Sequence, residues 1–442
     1  MFSLRTAVLL LASLRVAFAA QSVAFVPPST SPTKPSPNYV GQSNFTLPRP
    51  IIQHGIVFDQ MIVVNLENTD FSVAASSPVF QQLARQGITY TNSHGLAHPS
   101  EPNYMGQGGA STFGLFSDDF EDIPANVSSV VDLLEEKHIS WASYQENMPC
   151  NGYNGKTFAS FNYLTGSGTD NFYARKHNQL AMYNSTKLNP RRAGLMRNYN
   201  DFANDLNAAA LPQYIFMTPN IVNDAHDTDI NFASAYLEYF LIPLLDNPKF
   251  NGPRTLILLT FDEDETGPEN NLIFTLALGN AVPKKLHGTT DNTYLTHYTV
   301  LTTPQVNWGL NCLGRQDTNK TMANVLGFVA EATGYKNLVV KNPPTTNDTV
   351  AIPGPFSPIA SFVTPWEGPD IHAKCANPKG HVYVNNNPPV NPDLYNNGQC
   401  PQVAFSSNPL LEWNTEFDAQ IIAEQRKFHA SSFDFEPFER IW

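Results

Sequence analysis

The feature that most constrains the fold is a series of short apolar runs, each of which ends abruptly in polar residues. The clearest run, Thr255 to Phe261, is followed by the consecutive acids of 262–265. The run from Met61 to Val64 ends in a similar way, at Asn65-Leu66-Glu67-Asn68. Apolar runs of this length are typical of strands that are buried on both faces of a sheet. The sequence therefore predicts an α/β fold in which polar side chains gather beyond the carboxyl ends of the strands.

Other segments continue the alternation of strand and helix. Further strands are predicted at Ile88 to Asn92, Ile139 to Tyr144, Gln213 to Met217 and Leu272 to Leu278. Helices are predicted at Ser77 to Gln86, Val127 to Lys137, Phe232 to Leu245, Thr296 to Leu310 and Thr321 to Ala330. This order predicts a mostly parallel sheet with helices on both of its faces.

The first nineteen residues have the pattern of a secretory signal peptide. Arg5 provides the positive charge, Ala7 to Leu14 is an apolar stretch, and Ala17-Phe18-Ala19 is a small-x-small cleavage site. Arg15 interrupts the apolar stretch, and a membrane anchor is the alternative interpretation. A spanning helix needs about 20 apolar residues, so we expect cleavage and secretion without stable membrane insertion.

Glycosylation signals and cysteines agree with export. The chain has five Asn-x-Ser/Thr sequons, which predict a glycoprotein: Asn44, Asn126, Asn184, Asn319 and Asn347. Its four cysteines show no CxxC spacing, which favours disulfides over zinc: Cys150, Cys312, Cys375 and Cys400. Four cysteines allow three pairings. We favour Cys375–Cys400, which closes a short Pro- and Asn-rich loop, and hence Cys150–Cys312.

Composition divides the rest of the chain into three parts. Residues 20–54 are rich in Pro, Ser and Thr and predict an extended N-terminal arm. Residues 55–341 carry the alternating strands and helices, and form the predicted catalytic domain. Residues 342–442 hold 14 of the 35 prolines and few periodic segments. We expect this Pro/Asn-rich tail to wrap the catalytic domain as irregular structure.

The charge and the absence of several motifs exclude whole classes of function. A net charge of −13 argues against nucleic-acid binding, which normally requires a basic face. The sequence contains neither the G-x-S-x-G motif of α/β-hydrolases nor a P-loop nor HExxH. It also lacks an Arg-His-Gly run and a cysteine followed five residues later by arginine, which disfavours phosphatases with a histidine or a cysteine nucleophile.

The polar residues that follow the apolar runs are the candidates for chemistry. Glu67 and Asn68 provide a carboxylate and an amide oxygen, which suit a divalent cation, although such residues also cap helices. Asp262 and Glu263 begin an acidic cluster that a bound cation would stabilise, and a solvated acidic loop is the alternative. Ser100 lies between two prolines, where it is either a rigidly held nucleophile or part of an ordinary turn.

Two histidines complete this candidate set. His226 lies in Asn223-Asp224-Ala225-His226-Asp227, beyond the predicted strand that ends at Met217. His297 precedes a predicted helix. Either imidazole could contact a phosphoryl oxygen or protonate a leaving group, and either could equally be a structural residue.

Five motifs follow one another along the chain: Glu67-Asn68, His98-Pro99-Ser100-Glu101-Pro102-Asn103-Tyr104, Asn223 to Asp227, Phe261-Asp262-Glu263 and His297-Tyr298. These motifs, in this order, resemble the phosphoesterase family of bacterial phospholipases C and acid phosphatases, and most closely its fungal secreted, phosphate-repressible acid phosphatases. The likeness covers roughly residues 57–330. One departure is that Asn68 is followed by Thr69-Asp70-Phe71, whereas family phospholipases often carry Phe in an E-N-x-S-F-D string. This departure weakens the interpretation as a lipase more than that as a phosphatase.

The resemblance implies a fold and a set of roles. The fold would be an alkaline-phosphatase-like three-layer sandwich. Glu67, Asn68, Asp262 and Glu263 would bind a divalent metal ion, and Ser100 would be the nucleophile that becomes a phosphoserine. Asn103 would hold the substrate phosphate. His226 and His297 would stabilise the phosphoryl group or protonate the leaving oxygen.

The predicted function is a secreted acid phosphatase that acts on small phosphate monoesters, for example in phosphate scavenging. A phosphodiesterase or phospholipase C on the same scaffold is the first alternative, and a secreted adhesive glycoprotein is the second. A sulfatase is disfavoured because Ser100-Glu101-Pro102-Asn103 lacks the arginine that follows a sulfatase nucleophile. The metal, the natural substrate and the oligomeric state are left open by the sequence.

Overall fold

The structure is a computed structural model that describes residues 24–39, 41, 45–267, 270–344, 353–366, 368–384, 388–395 and 398–401. The predicted signal peptide and the sequons at Asn44 and Asn347 lie outside these residues. Asn126 and Asn319 are exposed, whereas Asn184 is half-buried at the start of a short helix. Among the described residues, no helix combines the length and the apolar character needed to cross a bilayer.

A large central sheet dominates the described part of the chain. Its strands, with those of a separate hairpin (β4 and β5), are β1 (Gln60–Leu66), β2 (Ile88–His94), β3 (Trp141–Gln145), β4 (Thr157–Phe161), β5 (Thr169–Ala174), β6 (Met196–Asn198), β7 (Tyr214–Thr218), β8 (Thr255–Phe261), β9 (Leu272–Leu278), β10 (Thr289–Asp291) and β11 (Leu295–Thr296). The order in the sheet is β10-β2-β9-β8-β1-β7-β3-β6, and β11 also pairs with β2.

The helices between these strands are short. They are α1 (Phe71–Ser76), α2 (Pro78–Ala84), α3 (Glu101–Gly109), α4 (Val130–Glu136), α5 (Asn184–Lys187), α6 (Pro190–Ala193), α7 (Tyr199–Asn207), α8 (Ile230–Tyr239), α9 (Leu241–Leu245), α10 (Thr299–Trp308) and α11 (Gly327–Thr333).

The central strand pairs are parallel, as predicted. Strand β1 lies between β7 and β8 and runs parallel to both. Strand β9 is the exception, since it runs antiparallel to β8 and to β2. Because only about ten residues join β8 to β9, they are too few for the helical crossover that a parallel partner needs. The predicted α/β class with a mostly parallel sheet is confirmed.

Helices cover both faces of the sheet, so the sheet is the middle of three layers. Successive side chains of a strand point to opposite faces. On one face, Phe80 of α2 stacks on Phe261 of β8, with ring centroids 5.6 Å apart. On the other face, the Tyr214 hydroxyl of β7 donates a hydrogen bond to the Val300 carbonyl of α10. Strand β8 is accordingly buried along its whole length.

Two helix predictions differ from the structure. The helix predicted over Phe232 to Leu245 is interrupted at Phe240, between α8 and α9. Pro243 explains the break, because it has no N–H to donate to the carbonyl four residues earlier. The helix predicted from Thr321 begins only at Gly327. The hairpin β4–β5 and the edge strand β6 were not predicted; β4 has mostly exposed or half-exposed side chains and thus no apolar run.

The N-terminal arm docks on α7 through buried polar groups. Asp205 accepts a hydrogen bond from the Leu47 amide at 2.8 Å, and Asn200 accepts one from the Ser36 amide at 2.8 Å. Arg197 donates to the Phe45 carbonyl and pairs with Asp205 at 2.9 Å. These contacts make part of the arm integral to the packed structure, while the predicted domain boundaries stay predictions.

The predicted disulfide pairing is wrong. Cys150 is bonded to Cys400, and Cys312 to Cys375. The prediction favoured the shortest loop, but docking of the tail decides the pairing. The Cys312 amide donates to the His381 carbonyl and the Tyr383 amide donates to the Cys312 carbonyl, which holds this part of the tail beside Cys312.

Candidate functional site

The carboxyl ends of β1, β7 and β8 bring four acidic residues together. Glu67 follows β1, Asp224 lies beyond β7, and Asp262 and Glu263 follow β8; all four are buried. Backbone hydrogen bonds fix this arrangement, because the Glu67 amide donates to the Asp224 carbonyl at 2.8 Å and the Asp262 amide to the Leu66 carbonyl at 3.0 Å. The positions at which apolar strands give way to acidic residues in the sequence thus lie at a candidate active site.

Ser100 lies directly beside this acidic cluster. It precedes α3, a helix that is buried over its full length. Its hydroxyl donates to Glu67 Oε2 at 3.1 Å and lies 3.4 Å from Glu263 Oε1. The start of a helix also provides positive potential from its free N–H groups, which favours negative charge on Oγ. The geometry therefore suits Ser100 to nucleophilic chemistry.

A lysine that the sequence analysis did not single out also reaches Ser100. Lys176 lies on the 3₁₀ turn after β5, and its Nζ is 3.5 Å from Ser100 Oγ and 3.1 Å from His226 Nε2. His226 therefore accepts through Nε2, and its Nδ1 donates to Asp227 at 2.7 Å. Together these contacts place one cation and one imidazole next to the candidate nucleophile.

His177, the next residue on this turn, was missed as well. Its Nε2 lies 3.4 Å from Glu67 Oε2 and its Nδ1 lies 3.5 Å from Asp224 Oδ2. The ring stacks on Tyr104, whose hydroxyl donates to Glu67. The one signal in the sequence is Arg175-Lys176-His177, three basic side chains directly after a strand that has too little apolar character to be recognised.

The electrostatics of the cluster are unfavourable without a cation. Burial, and then the charges of Asp262 and Asp224, raise the pKa of Glu67 well above its usual value. Burial, and then the charge of Asp262, raise the pKa of Glu263 to about 8. His177 shows the opposite effect, because burial and the neighbouring Lys176 hold its pKa well below the usual value. A neutral imidazole among carboxylates is the protonation pattern that a metal site requires.

The donor atoms fit a divalent cation. Glu67, His177 and His226 each offer one ligand atom, and these atoms lie within 4.8 Å of one another. Three further buried oxygens nearby have no hydrogen-bond partner: Asn68 Oδ1, Asp224 Oδ2 and Asp262 Oδ2. Unpartnered buried carboxylate and amide oxygens are costly, and a cation would satisfy them. The Nδ1–H of His226 bonded to Asp227 is also typical of a metal-binding histidine.

Two predicted site residues bond mainly to the polypeptide around the cluster, although Asn103 Nδ2 also lies 3.4 Å from Glu263 Oε2. His297 is buried, and both of its ring nitrogens bond to protein atoms, namely the Asp262 carbonyl and Gln107 Nε2. Burial lowers its pKa to about 4. Asn103 accepts the amides of Leu96 and Ala97, at 2.7 and 3.2 Å. These contacts hold the loop before Ser100 and the start of the loop after β8, so a contact with phosphate stays a prediction for both residues.

His98, in the motif around Ser100, orients the acidic residues that follow β8. Its ring nitrogens lie 3.1 Å from Glu263 Oε2 and 3.0 Å from Asp264 Oδ1. Burial opposes its protonation, but the two carboxylates outweigh it and raise the pKa of His98 to about 10. The charged imidazole thus fixes the side chain of Glu263 next to Ser100.

In this α/β fold a serine hydroxyl lies beside a buried cluster of carboxylates and imidazoles that has the spacing of a cation site. Residues 71–311 match the Phosphoesterase family, and the chain belongs to it. It is 43% identical over 323 residues to the phosphate-repressible acid phosphatase of Penicillium chrysogenum, and the alignment covers 73% of this chain and 75% of that protein. It is 45% identical over 305 residues to an acid phosphatase of Aspergillus fumigatus, and the alignment covers 69% of this chain and 66% of that protein.

Among solved structures, the chain is similar to a protein of the alkaline phosphatase superfamily from Vibrio parahaemolyticus. The match has a TM-score of 0.37 and 11% identity, and covers 64% of this chain and 71% of that one. At this level of similarity, the family assignment depends on the sequence matches alone.

Proposed function

We propose that the protein is a secreted acid phosphatase that hydrolyses small phosphate monoesters through Ser100. The observation that carries the proposal is the position of Ser100 Oγ, at the start of α3 and within 3.5 Å of both Glu67 Oε2 and Lys176 Nζ. Such a hydroxyl has a proton acceptor on one side and a cation for the phosphoryl oxygens on the other. The acid phosphatases among the relatives of this chain support the same reaction class.

The first step is attack of Ser100 Oγ on phosphorus. The hydroxyl proton has an acceptor in place, because Ser100 already donates to Glu67 Oε2 at 3.1 Å. Negative charge on the phosphoryl oxygens is stabilised by Lys176 and by the N-terminal end of α3. The leaving oxygen takes a proton from the Lys176 ammonium, which regains one from solvent, and water then hydrolyses the phosphoserine.

The metal-binding part of the proposal joins the predicted ligands with those that the structure adds. Glu67, Asn68, Asp262 and Glu263 are the ligands expected from the sequence, and His177 and His226 bring imidazole nitrogens to the same place. When bound, a divalent cation would supply positive charge beside Ser100 Oγ and the phosphoryl oxygens. A mixed set of carboxylate, amide and imidazole ligands suits Zn²⁺, Mn²⁺ or Fe²⁺ better than Ca²⁺.

The extracellular location is part of the same proposal. The signal sequence, the exposed sequons at Asn126 and Asn319 and the two disulfides support export to an oxidising medium. An enzyme there meets small phosphate esters in its surroundings, which fits a role in phosphate scavenging.

The test is hydrolysis of an aryl monophosphate and of a bis-aryl phosphate by the secreted full-length protein, from pH 3 to pH 9. We expect the monoester to be turned over faster, with an acidic optimum, and Ser100→Ala to abolish turnover. Faster turnover of the diester would instead identify a phosphodiesterase on this scaffold. No turnover of either substrate by metal-loaded protein would contradict the proposal.

A further inference from the structure

Besides the groups already described, Lys176 has a carboxylate partner that the proposed reaction does not use. Asp118 Oδ2 lies 2.8 Å from Lys176 Nζ. Its other oxygen, Oδ1, accepts a hydrogen bond at 3.1 Å from the amide of Glu101, the residue after the nucleophile. One carboxylate thus bonds both to the ammonium group and to a backbone amide at the start of α3. These are two of the groups that would receive a phosphoryl oxygen.

Asp118 belongs to the acidic loop, which we define as residues 117–122, Ser-Asp-Asp-Phe-Glu-Asp. The far end of this loop is fixed independently of Lys176. Asp122 pairs with Arg175 at 2.6 Å and with Lys187. The Arg175 guanidinium also lies over the Phe120 ring, 3.9 Å from its centroid. Asp118 can therefore leave Lys176 by a local movement while the rest of the loop stays attached.

The position of Asp118 conflicts with that of a bound ester. A phosphoryl group bonded to Ser100 Oγ carries its oxygens toward Lys176 Nζ, which is 3.5 Å from Oγ. Two anions that share one ammonium group repel each other, and this repulsion is strong in a half-buried site where water screens it poorly. Bound phosphate and the Asp118–Lys176 ion pair therefore compete for the same cation.

We propose that Lys176 is the phosphate-binding residue of the site and that Asp118 is an internal competitor, which holds the Lys176 ammonium until the phosphate ester displaces it. This inference deepens the proposed phosphatase function and rests on it. Asp118 keeps Lys176 directed at Ser100 in the free enzyme, and in exchange it weakens the binding of substrate and of the product, inorganic phosphate. We expect this competition to speed the release of inorganic phosphate from the site.

Asp118→Asn separates the two contacts of this side chain. The Asn amide oxygen can still accept from the Glu101 amide, while the charge that pairs with Lys176 is removed. Asp119→Asn is the matched control, because Asp119 carries the same charge one residue further along the acidic loop and is exposed. Its side chain bonds only to Ser117 among the described hydrogen bonds. Lys176→Met removes the proposed phosphate ligand, and Lys176→Arg restores its charge.

The probe is inorganic phosphate, titrated calorimetrically into full-length, metal-loaded protein. Every protein in the series carries Ser100→Ala, and each of the Asp118, Asp119 and Lys176 substitutions is added to it. We expect Asp118→Asn to tighten phosphate binding about three- to tenfold, and Lys176→Met to weaken it at least tenfold, with partial recovery in Lys176→Arg. In the Lys176→Met background, Asp118→Asn should have less than a twofold effect, because its target is absent. Asp119→Asn should bind phosphate as the parent does.

The inference is overturned if Asp118→Asn binds phosphate no more tightly than Asp119→Asn, or if its effect persists without Lys176. Thermal melts of all variants exclude misfolding as the cause of weaker binding. Because this titration involves no turnover, its result is independent of the proposed activity. A monoester assay that fails while the titration succeeds would overturn the phosphatase proposal alone.

Discussion

Glu67 Oε2 accepts a hydrogen bond from Ser100 Oγ at 3.1 Å, although the two residues are 33 positions apart in the sequence. Glu67 is fixed by the end of β1, and Ser100 by the start of the buried helix α3. Neither residue lies on a free loop, so the distance between the serine hydroxyl and the carboxylate is set by the packing of the core. Sites built on such rigid elements retain their geometry without a ligand.

Ser100→Ala should reduce kcat for an aryl monophosphate by several orders of magnitude, because the substitution removes the oxygen proposed to attack phosphorus. Secretion and the melting temperature should change little. Ser76→Ala, at an exposed position of α1, is the control for handling of the protein. More than about a tenth of the parent kcat in Ser100→Ala would exclude Ser100 as the nucleophile.

Much of the fold follows from the sequence because the central strands are buried on both faces. Strand β8 was predicted with its observed bounds, Thr255–Phe261, and so was β9, Leu272–Leu278. Their apolar runs end where solvent or the site begins, so the boundary is visible in the composition. The antiparallel direction of β9 is not, since a buried antiparallel strand has the same pattern of residues.

The candidate site was predicted in part, for a related reason. Glu67 and Asp262 directly follow strands that an apolar run makes obvious. Lys176 and His177 follow β5, which has exposed and half-buried residues over its first half and therefore resembles a loop in the sequence. The role of His297 was inferred from residue type, whereas its actual contacts depend on the side chain of Gln107 and on the backbone of Asp262.

His177→Gln should lose bound divalent metal together with activity, and Glu67→Gln and Asp262→Asn should do the same. The imidazole of His177 lies between Glu67 and Asp224, and neutral imidazole is the form that binds a metal. Elemental analysis of the dialysed proteins measures this. His287→Gln, at an exposed position, should keep its metal. Stoichiometric metal in His177→Gln would exclude His177 from the ligand set.

Peptide mapping without reduction should find Cys150 linked to Cys400 and Cys312 linked to Cys375. These bonds span 250 and 63 residues, so by the entropy of the unfolded chain they could stabilise the fold by about 5.5 and about 4 kcal/mol, respectively. Replacing either pair with serine should lower the midpoint of urea unfolding substantially. A peptide that joins Cys375 to Cys400 would show that the tail docks differently.

Glu146→Gln should make the protein more stable at pH 7 and leave its stability near pH 4.5 almost unchanged. Glu146 is buried, and burial outweighs its hydrogen bonds from Asn223 and Asn220, which raises its pKa from 4.5 to about 7. Between these two values the folded state binds more protons than the unfolded state, so this carboxyl makes stability fall as the pH rises.

The size of this effect follows from the same pKa difference. A shift of this magnitude corresponds to about 3 kcal/mol of stability that is lost as the pH rises from about 4.5 to 7. Gln resembles the protonated acid, and a flip of the Asn223 side chain lets its amide group donate to Asn223 Oδ1, which has no hydrogen-bond partner. Urea unfolding at intervals from pH 4.5 to 7.5 measures the change in slope. Glu238→Gln, at an exposed position of α8, should leave the pH profile unaltered. Equal profiles for Glu146→Gln and the parent would show that the pKa of Glu146 is the same in the folded and unfolded protein.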